Sequence, residues 1–159
     1  MSCQHLKQVG IGYDVYWCSV CGAVRKGGGD WHEPEGRQRR QRTVYAWAAA
    51  TFGAATMSPV ERALRLVEEV VELAQAEGLA PELVRAVLDH VYAKPPGDRA
   101  QEVGGVGVTL LAYCEARGLS ADAEEARELA RVLAIDPERF RERHNIKAAA
   151  GIAAKATKE

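Results

Sequence analysis

No stretch of the 159-residue chain holds the roughly 18 consecutive apolar residues that a membrane-spanning helix needs, and residues 1–10 contain no apolar core of the signal-peptide kind. A membrane partner is therefore not expected, and a cytoplasmic location is. The chain also lacks a charge excess: 21 Lys and Arg against 22 Asp and Glu leave a formal charge of −1, so net charge names no partner. The charges are nevertheless uneven, with Arg37, Arg39, Arg40 and Arg42 in one run and Glu68, Glu69 and Glu72 in another. Cysteine is scarce, and Cys3, Cys18 and Cys21 fall early while Cys114 stands alone in a helical pattern. That is no secreted disulfide framework, and reduced thiols are expected. Internal repeats are absent, as are low-complexity tracts beyond the Ala-rich tail. The remainder is ordinary globular composition, 47% apolar and 27% charged, long enough for one well-cored domain with a small appendage.

Residues 1–36 are rich in Gly, Cys, His and aromatics and show no helical period, with short β-type runs at 13–17 and 23–25. They read as a small module, followed by an Arg-rich linker over 37–43. From 44 to 152 the pattern predicts a mainly α domain of five or six helices, with a tail over 153–159. A short first helix is expected over 44–52, broken by Gly53. Ser58-Pro59-Val60-Glu61 reads as a capping box, with Ser at the cap, Pro at the first helical position and Glu three residues on. This helix should reach about Glu77 and close at Gly78. Pro81 opens the next, which Pro95-Pro96-Gly97 stops; Asp98 caps another ending near Gly118; Ser120 caps a fourth; Asp136-Pro137 opens the last.

On the helix that Ser58 caps, Val60, Ala63, Leu64, Val67, Val70, Val71 and Ala74 share one arc, as a core-facing helix requires. Leu66 and Leu73 fall outside it, which points to a second packing surface and a homo-oligomer. Glu69 and Glu72, three apart, project from neighbouring positions with Glu68 at the edge and Arg65 one turn before. Their mutual repulsion calls for a cation, although a solvated acidic face neutralised by Arg62 and Arg65 has the same pattern. Glu102 opens a strongly apolar helix, so antiparallel packing of the two helices would make three carboxylates converge. Oxygen ligands suit Mg²⁺, which commonly retains waters and substrate phosphates. A ferritin-like di-iron centre would want Glu-x-x-His, and none of the four histidines has a glutamate three residues before it.

The run from Arg62 to Gln75, containing Glu68-Glu69-Val70-Val71-Glu72, and Gln101-Glu102-Val103-Gly104-Gly105 about thirty residues later, resemble the Glu-Glu-x-x-Glu and Glu-x-x-Asp signature of the MazG-like all-α nucleotide pyrophosphohydrolases. The resemblance covers most of 44–152. It implies hydrolysis of a nucleoside triphosphate to monophosphate and pyrophosphate, with Glu69, Glu72 and Glu102 as Mg²⁺ ligands and Glu68 as an adjacent catalytic carboxylate. Gly105 stands where the family usually has its last Asp, and Asp98, one turn before Glu102, is a candidate substitute oxygen. The resemblance also suggests that Trp47 and Phe52 stack a base; docking the first helix on the core explains the same spacing. Arg65 and Lys147, with Arg62 and Lys94, are cations available to a triphosphate, and Lys147 lies on a terminal helix able to fold back over the pocket.

Cys3-x-His5 and Cys18-x-x-Cys21 resemble the paired ligands of a zinc ribbon, with His32 as an alternative to His5. A structural Zn²⁺ is expected, because so small a segment has little apolar surface with which to fold. A redox Cys-x-x-Cys lacks its βαβ context. Two other readings stay open. One is a nucleic-acid-binding module built from the ribbon, Trp31 and the arginine run. The other is a catalytically impaired MazG-like protein that binds nucleotides or assembles, with Gly105 marking the lost metal position.

Overall fold

Local signals at helix ends dictate most of the architecture in the computed structural model, which describes residues 4–18, 23–32 and 36–153. Six helices are present among these residues: α1 (Arg37–Phe52), α2 (Pro59–Ala76), α3 (Pro81–Tyr92), α4 (Arg99–Arg117), α5 (Ala121–Ala134) and α6 (Pro137–Ala149), with a 3₁₀ turn at Ala54–Met57. The Ser58 hydroxyl accepts from the Glu61 amide at 3.2 Å, and Asp98 accepts from Ala100 and Gln101, both at 3.0 Å. Ser120 and Asp136 cap α5 and α6 in the same way. At the other ends, Gly78 and Gly118 take φ of 76° and 66°, which lets Leu79 and Leu119 donate back to the carbonyls of Ala74 (3.0 Å) and Cys114 (2.8 Å).

Residues 37–43, expected as a linker, are the opening turns of α1. Arginine is a good helix former, and the run has partners on α5. Arg40 is buried and pairs with Asp122 and, at 3.0 Å, with Glu125, while Arg37 reaches Glu125 at 3.2 Å. The helix starts earlier than its apolar pattern suggests because tertiary ion pairs hold its polar end.

Ahead of α1 lies a three-stranded antiparallel sheet in the order β1 (Gln8–Gly12), β2 (Val15–Cys18), β3 (Val24–Lys26). The register pairs Val9 with Trp17 and Tyr16 with both Gly10 and Arg25. Tyr13 and Asp14 both take positive φ, 53° and 60°, as a tight two-residue hairpin turn demands. One face of the sheet packs on α5. Val15 and Trp17 are buried there, and the Trp17 Nε1–H donates to the Ala123 carbonyl at 3.1 Å. On the opposite side of the core α1 meets α6 through Trp47, Phe52 and Phe140, whose rings stand edge to face with centroids 5.3–6.3 Å apart. His144 is buried beside Phe52, 5.5 Å between ring centroids.

The core thus lies among the sheet, α1, α5 and α6. The apolar arc expected to face it from α2 does not: Val60, Leu64, Val67, Val70 and Val71 are all exposed. The amphipathic pattern forms the helix as expected, but within one chain that face meets little of the protein.

Candidate metal and nucleotide site

The 3.6-residue period places Glu68, Glu69 and Glu72 on one side of α2, where α5 and α6 bring further charges. Glu68 accepts from Arg65 of its own helix and pairs with the Lys147 ammonium of α6 at 2.6 Å. Lys147 therefore does reach back to the acidic helix. Arg65 also lies 3.3 Å from the buried Glu61 carboxylate and donates to the Ile152 carbonyl, tying the segment after α6 to α2.

Glu69 is the electrostatic centre of this group. Surrounding protein partly desolvates its carboxyl although its surface is exposed, and Glu72, Glu68 and Glu128 add negative charge; together they raise its pKa above the ordinary glutamate value against a smaller opposing pull from Lys147. Glu128, on α5, was not legible as a site residue because its relation to α2 is purely tertiary. It is partly balanced by Arg131, whose Nε and Nη2 lie 2.7 and 2.5 Å from the Glu128 carboxylate oxygens, and whose own pKa is raised mainly by that bond.

Glu102 sits in the first turn of α4, with its carboxylate turned against Gly97. α2 and α4 meet near their C-terminal ends, where the Tyr113 hydroxyl donates to Glu77 at 2.6 Å and Arg117 lies 3.2 Å from the same carboxylate. That contact is not the antiparallel packing that would bring Glu102 beside Glu69. Among the described residues no three Asp, Glu, His or Cys side chains gather closely enough to hold a metal ion. Glu69 and Glu72, three residues apart on α2, are nevertheless hard carboxylate donors of the kind Mg²⁺ takes, and partial burial, then the charges of Glu72, Glu68 and Glu128, disfavour the ionised form of Glu69. Gly105, inside α4, has open space around it.

Trp47 and Phe52 belong to the aromatic cluster that seats α1 on α6, and both stay half-buried. In the N-terminal module Cys3 and Cys21 lie outside the described residues. Cys18 is buried at the end of β2, its amide donating to the Ala23 carbonyl at 2.8 Å; the His5 ring stacks on Trp31 at 4.7 Å; and His32 exchanges backbone hydrogen bonds with Val24. Two of the four arginines expected to mark a nucleic-acid contact, Arg37 and Arg40, are paired with α5 instead. No helix is long and apolar enough to cross a membrane among the described residues. No protein-family model, no curated protein and no solved structure matches this chain.

Proposed function

We propose that the chain is a Mg²⁺-dependent nucleoside triphosphate pyrophosphohydrolase of the MazG-like kind. The observation that carries this reading is the acidic side of α2, where Glu68, Glu69 and Glu72 lie together with Lys147 2.6 Å from Glu68, on the very motif that resembles the family's metal-binding helix; partial burial, and then the charges of Glu72, Glu68 and Glu128, disfavour the ionised form of Glu69. Such a group is short of positive charge, and a divalent cation with bound phosphates supplies it. Glu69 and Glu72 would hold the ion, with Glu68 beside them and Glu102 nominated by the motif. When bound, Mg²⁺ neutralises phosphate charge and lowers the pKa of water for attack on the α-phosphorus. The chain's own contribution would be cationic: Lys147 and Arg65, both paired with Glu68, would take phosphate oxygens in exchange. Structural Zn²⁺ in the module before α1 belongs to the same proposal, with Cys3, Cys18, Cys21 and either His5 or His32 as ligands.

The test is pyrophosphate release from a panel of ordinary and modified ribo- and deoxyribonucleoside triphosphates with Mg²⁺, comparing wild type with Glu72→Gln and Glu102→Gln. Metal-borne stabilisation is worth several kcal/mol, so each variant should lose activity by about 100-fold or more. Loss in Glu72→Gln but not in Glu102→Gln would remove Glu102 from the site. Binding of a triphosphate without turnover would instead support the impaired reading that Gly105 suggests.

Nucleic-acid binding is the second reading, and one observation favours it. On the sheet, the Arg25 guanidinium lies 4.7 Å from the Tyr16 ring centroid and 5.3 Å from that of Trp31, a pairing of cation and aromatic faces on which unpaired bases stack. Salt-dependent retention on single-stranded DNA or RNA, lost in Trp31→Ala, supports it, whereas absence of retention at low salt sinks it.

A further inference from the structure

The base of a nucleotide needs an aromatic face, and the two rings expected to supply one are engaged elsewhere. Trp47 meets Phe52 and Phe140 edge to face, with centroids 5.8 and 5.3 Å away, and Phe52 meets Phe140 and His144 as well. Rings held from two sides in this way offer a ligand little to stack on. Another ring stands on the N-terminal hairpin.

Strand β2 runs along α5. The Trp17 indole bonds to the Ala123 carbonyl near the start of that helix, whereas Val15 shares a cavity with Ala130, Leu133 and Ala134 near its end. The turn ahead of Val15 therefore emerges where α5 gives way to α6, and there Arg139 Nη1 donates to the Tyr13 hydroxyl at 3.3 Å. Glu128 and Arg131 occupy the same half of α5 and pair with each other. Arg131 links the turn to the acidic face of α2: its pKa is raised first by the hydrogen bond to Glu128, against desolvation, and then by the charge of Glu128, by the Tyr13 phenol and by Glu69. Glu128 in turn adds to the negative charge around Glu69.

Tyr13 is an unusual residue for this turn. Its φ of 53° lies in the left-handed region, where a side chain with a Cβ is strained and where two-residue turns favour asparagine, aspartate or glycine. The ring adds little to the core, being 46% exposed, and its hydrogen bond with Arg139 is exposed to water and offsets little of the strain. A tyrosine that strains the turn without filling the core is explained by what its side chain meets outside the fold.

We propose that Tyr13 is a specificity-determining residue of the nucleotide site, where the N-terminal hairpin forms one wall and the base of a nucleoside triphosphate stacks on the Tyr13 ring. This inference rests on the pyrophosphohydrolase reading. Phosphates taken on the Lys147 and Arg65 side of Glu69 leave the base to the α5 side, where Arg139 holds the phenol. An aromatic face accepts any base, so Tyr13 makes the site prefer a nucleotide to a bare polyphosphate without choosing among bases.

The experiment is titration calorimetry of the full chain with Mg²⁺. The probes are the non-hydrolysable α,β-imido analogues of the ordinary ribo- and deoxyribonucleoside triphosphates, and inorganic tripolyphosphate, which has phosphates but no base. Tyr13→Asn removes the ring and suits a left-handed turn, so the fold should be kept. Tyr13→Phe keeps the ring and drops the bond to Arg139. In Tyr13→Asn the Kd for the tightest-binding nucleotide should rise about tenfold or more, with tripolyphosphate unmoved, while Tyr13→Phe stays within about twofold of wild type. Unchanged nucleotide affinity in Tyr13→Asn overturns the proposal, and so does an equal loss for nucleotide and tripolyphosphate, which would make Tyr13 a support of the hairpin alone. A wild-type chain that binds tripolyphosphate as tightly as any nucleotide overturns it too, and leaves the metal site standing. A wild-type chain that binds neither removes the pyrophosphohydrolase reading and this inference with it.

Discussion

Glu69 makes the acidic face testable one residue at a time. Its carboxyl holds a proton to higher pH than an ordinary glutamate, chiefly through desolvation and then through Glu72, Glu68 and Glu128. Between the ordinary glutamate value and this raised one, the folded chain binds more protons than the unfolded chain, so stability falls as pH rises through that window. Above it the destabilisation is complete. Glu69→Gln removes the titrating charge and should therefore melt higher than wild type near neutral pH, with the gap closing as the pH drops below about 4. Mg²⁺ acts in the opposite sense, because a cation favours the ionised carboxylate. At a hundred times its dissociation constant, a ligand binding only the folded state adds about 2.7 kcal/mol. Millimolar Mg²⁺ should thus raise the melting temperature of wild type and leave that of Glu69→Gln nearly unmoved. Equal responses from the two proteins would take Glu69 out of the metal site.

At the level of elements, Arg40 couples the start of α1 to α5. Its guanidinium is buried against Asp122 and Glu125, and its pKa is raised because the hydrogen bonds and charge of those two acids together outweigh desolvation, the largest single influence. The acids are themselves more exposed, which screens the pairing. Arg40→Met should cost about 1–3 kcal/mol in a denaturant melt. Arg40→Lys should recover part of it, since one nitrogen, Nη2, meets both carboxylates and a single ammonium can approach that arrangement. A loss within error for Arg40→Met would mean that α1 is held by its aromatic contacts with α6 alone. The other helices show where sequence reasoning succeeds. Ser58, Asp98, Ser120 and Asp136 announce four helix starts because a cap is a contact between near neighbours, and Gly78 and Gly118 announce two ends for the same reason. Gly36, ahead of α1, makes no side-chain cap bond, so the arginines that follow read as a linker; their stabilising partners lie more than eighty residues away. Strand β1 is hidden likewise, because Gln8–Gly12 contains two glycines and becomes a strand by pairing with β2. The carboxylates of α2 are legible as a group, whereas Glu128 and the position of Glu102 depend on how helices meet, which no local pattern encodes.

For the molecule as a whole, the N-terminal sheet and the helices share one core, and this fixes what loss of a structural metal should do. Strands of 5, 4 and 3 residues are too short to persist alone. Two things are available to hold them: burial of Val15 and Trp17 against α5, with the Trp17–Ala123 hydrogen bond, and the Zn²⁺ proposed for the Cys and His pairs. The first is a small apolar contact. The second, where a zinc site is formed, is worth enough to decide whether a domain of this size folds at all. Stripping the metal with a strong chelator should therefore unfold the sheet while α5, which also carries Asp122 and Glu125 for the arginines of α1, stays helical. Trp17 reports the difference, since its indole is buried now and would enter water. The expected result is a red shift of tryptophan emission with little change in helical circular dichroism, reversed by adding Zn²⁺ but not Mg²⁺. Unchanged emission in a preparation shown to contain no zinc would mean that packing on α5 is sufficient to hold the sheet. The early cysteines would then need another explanation.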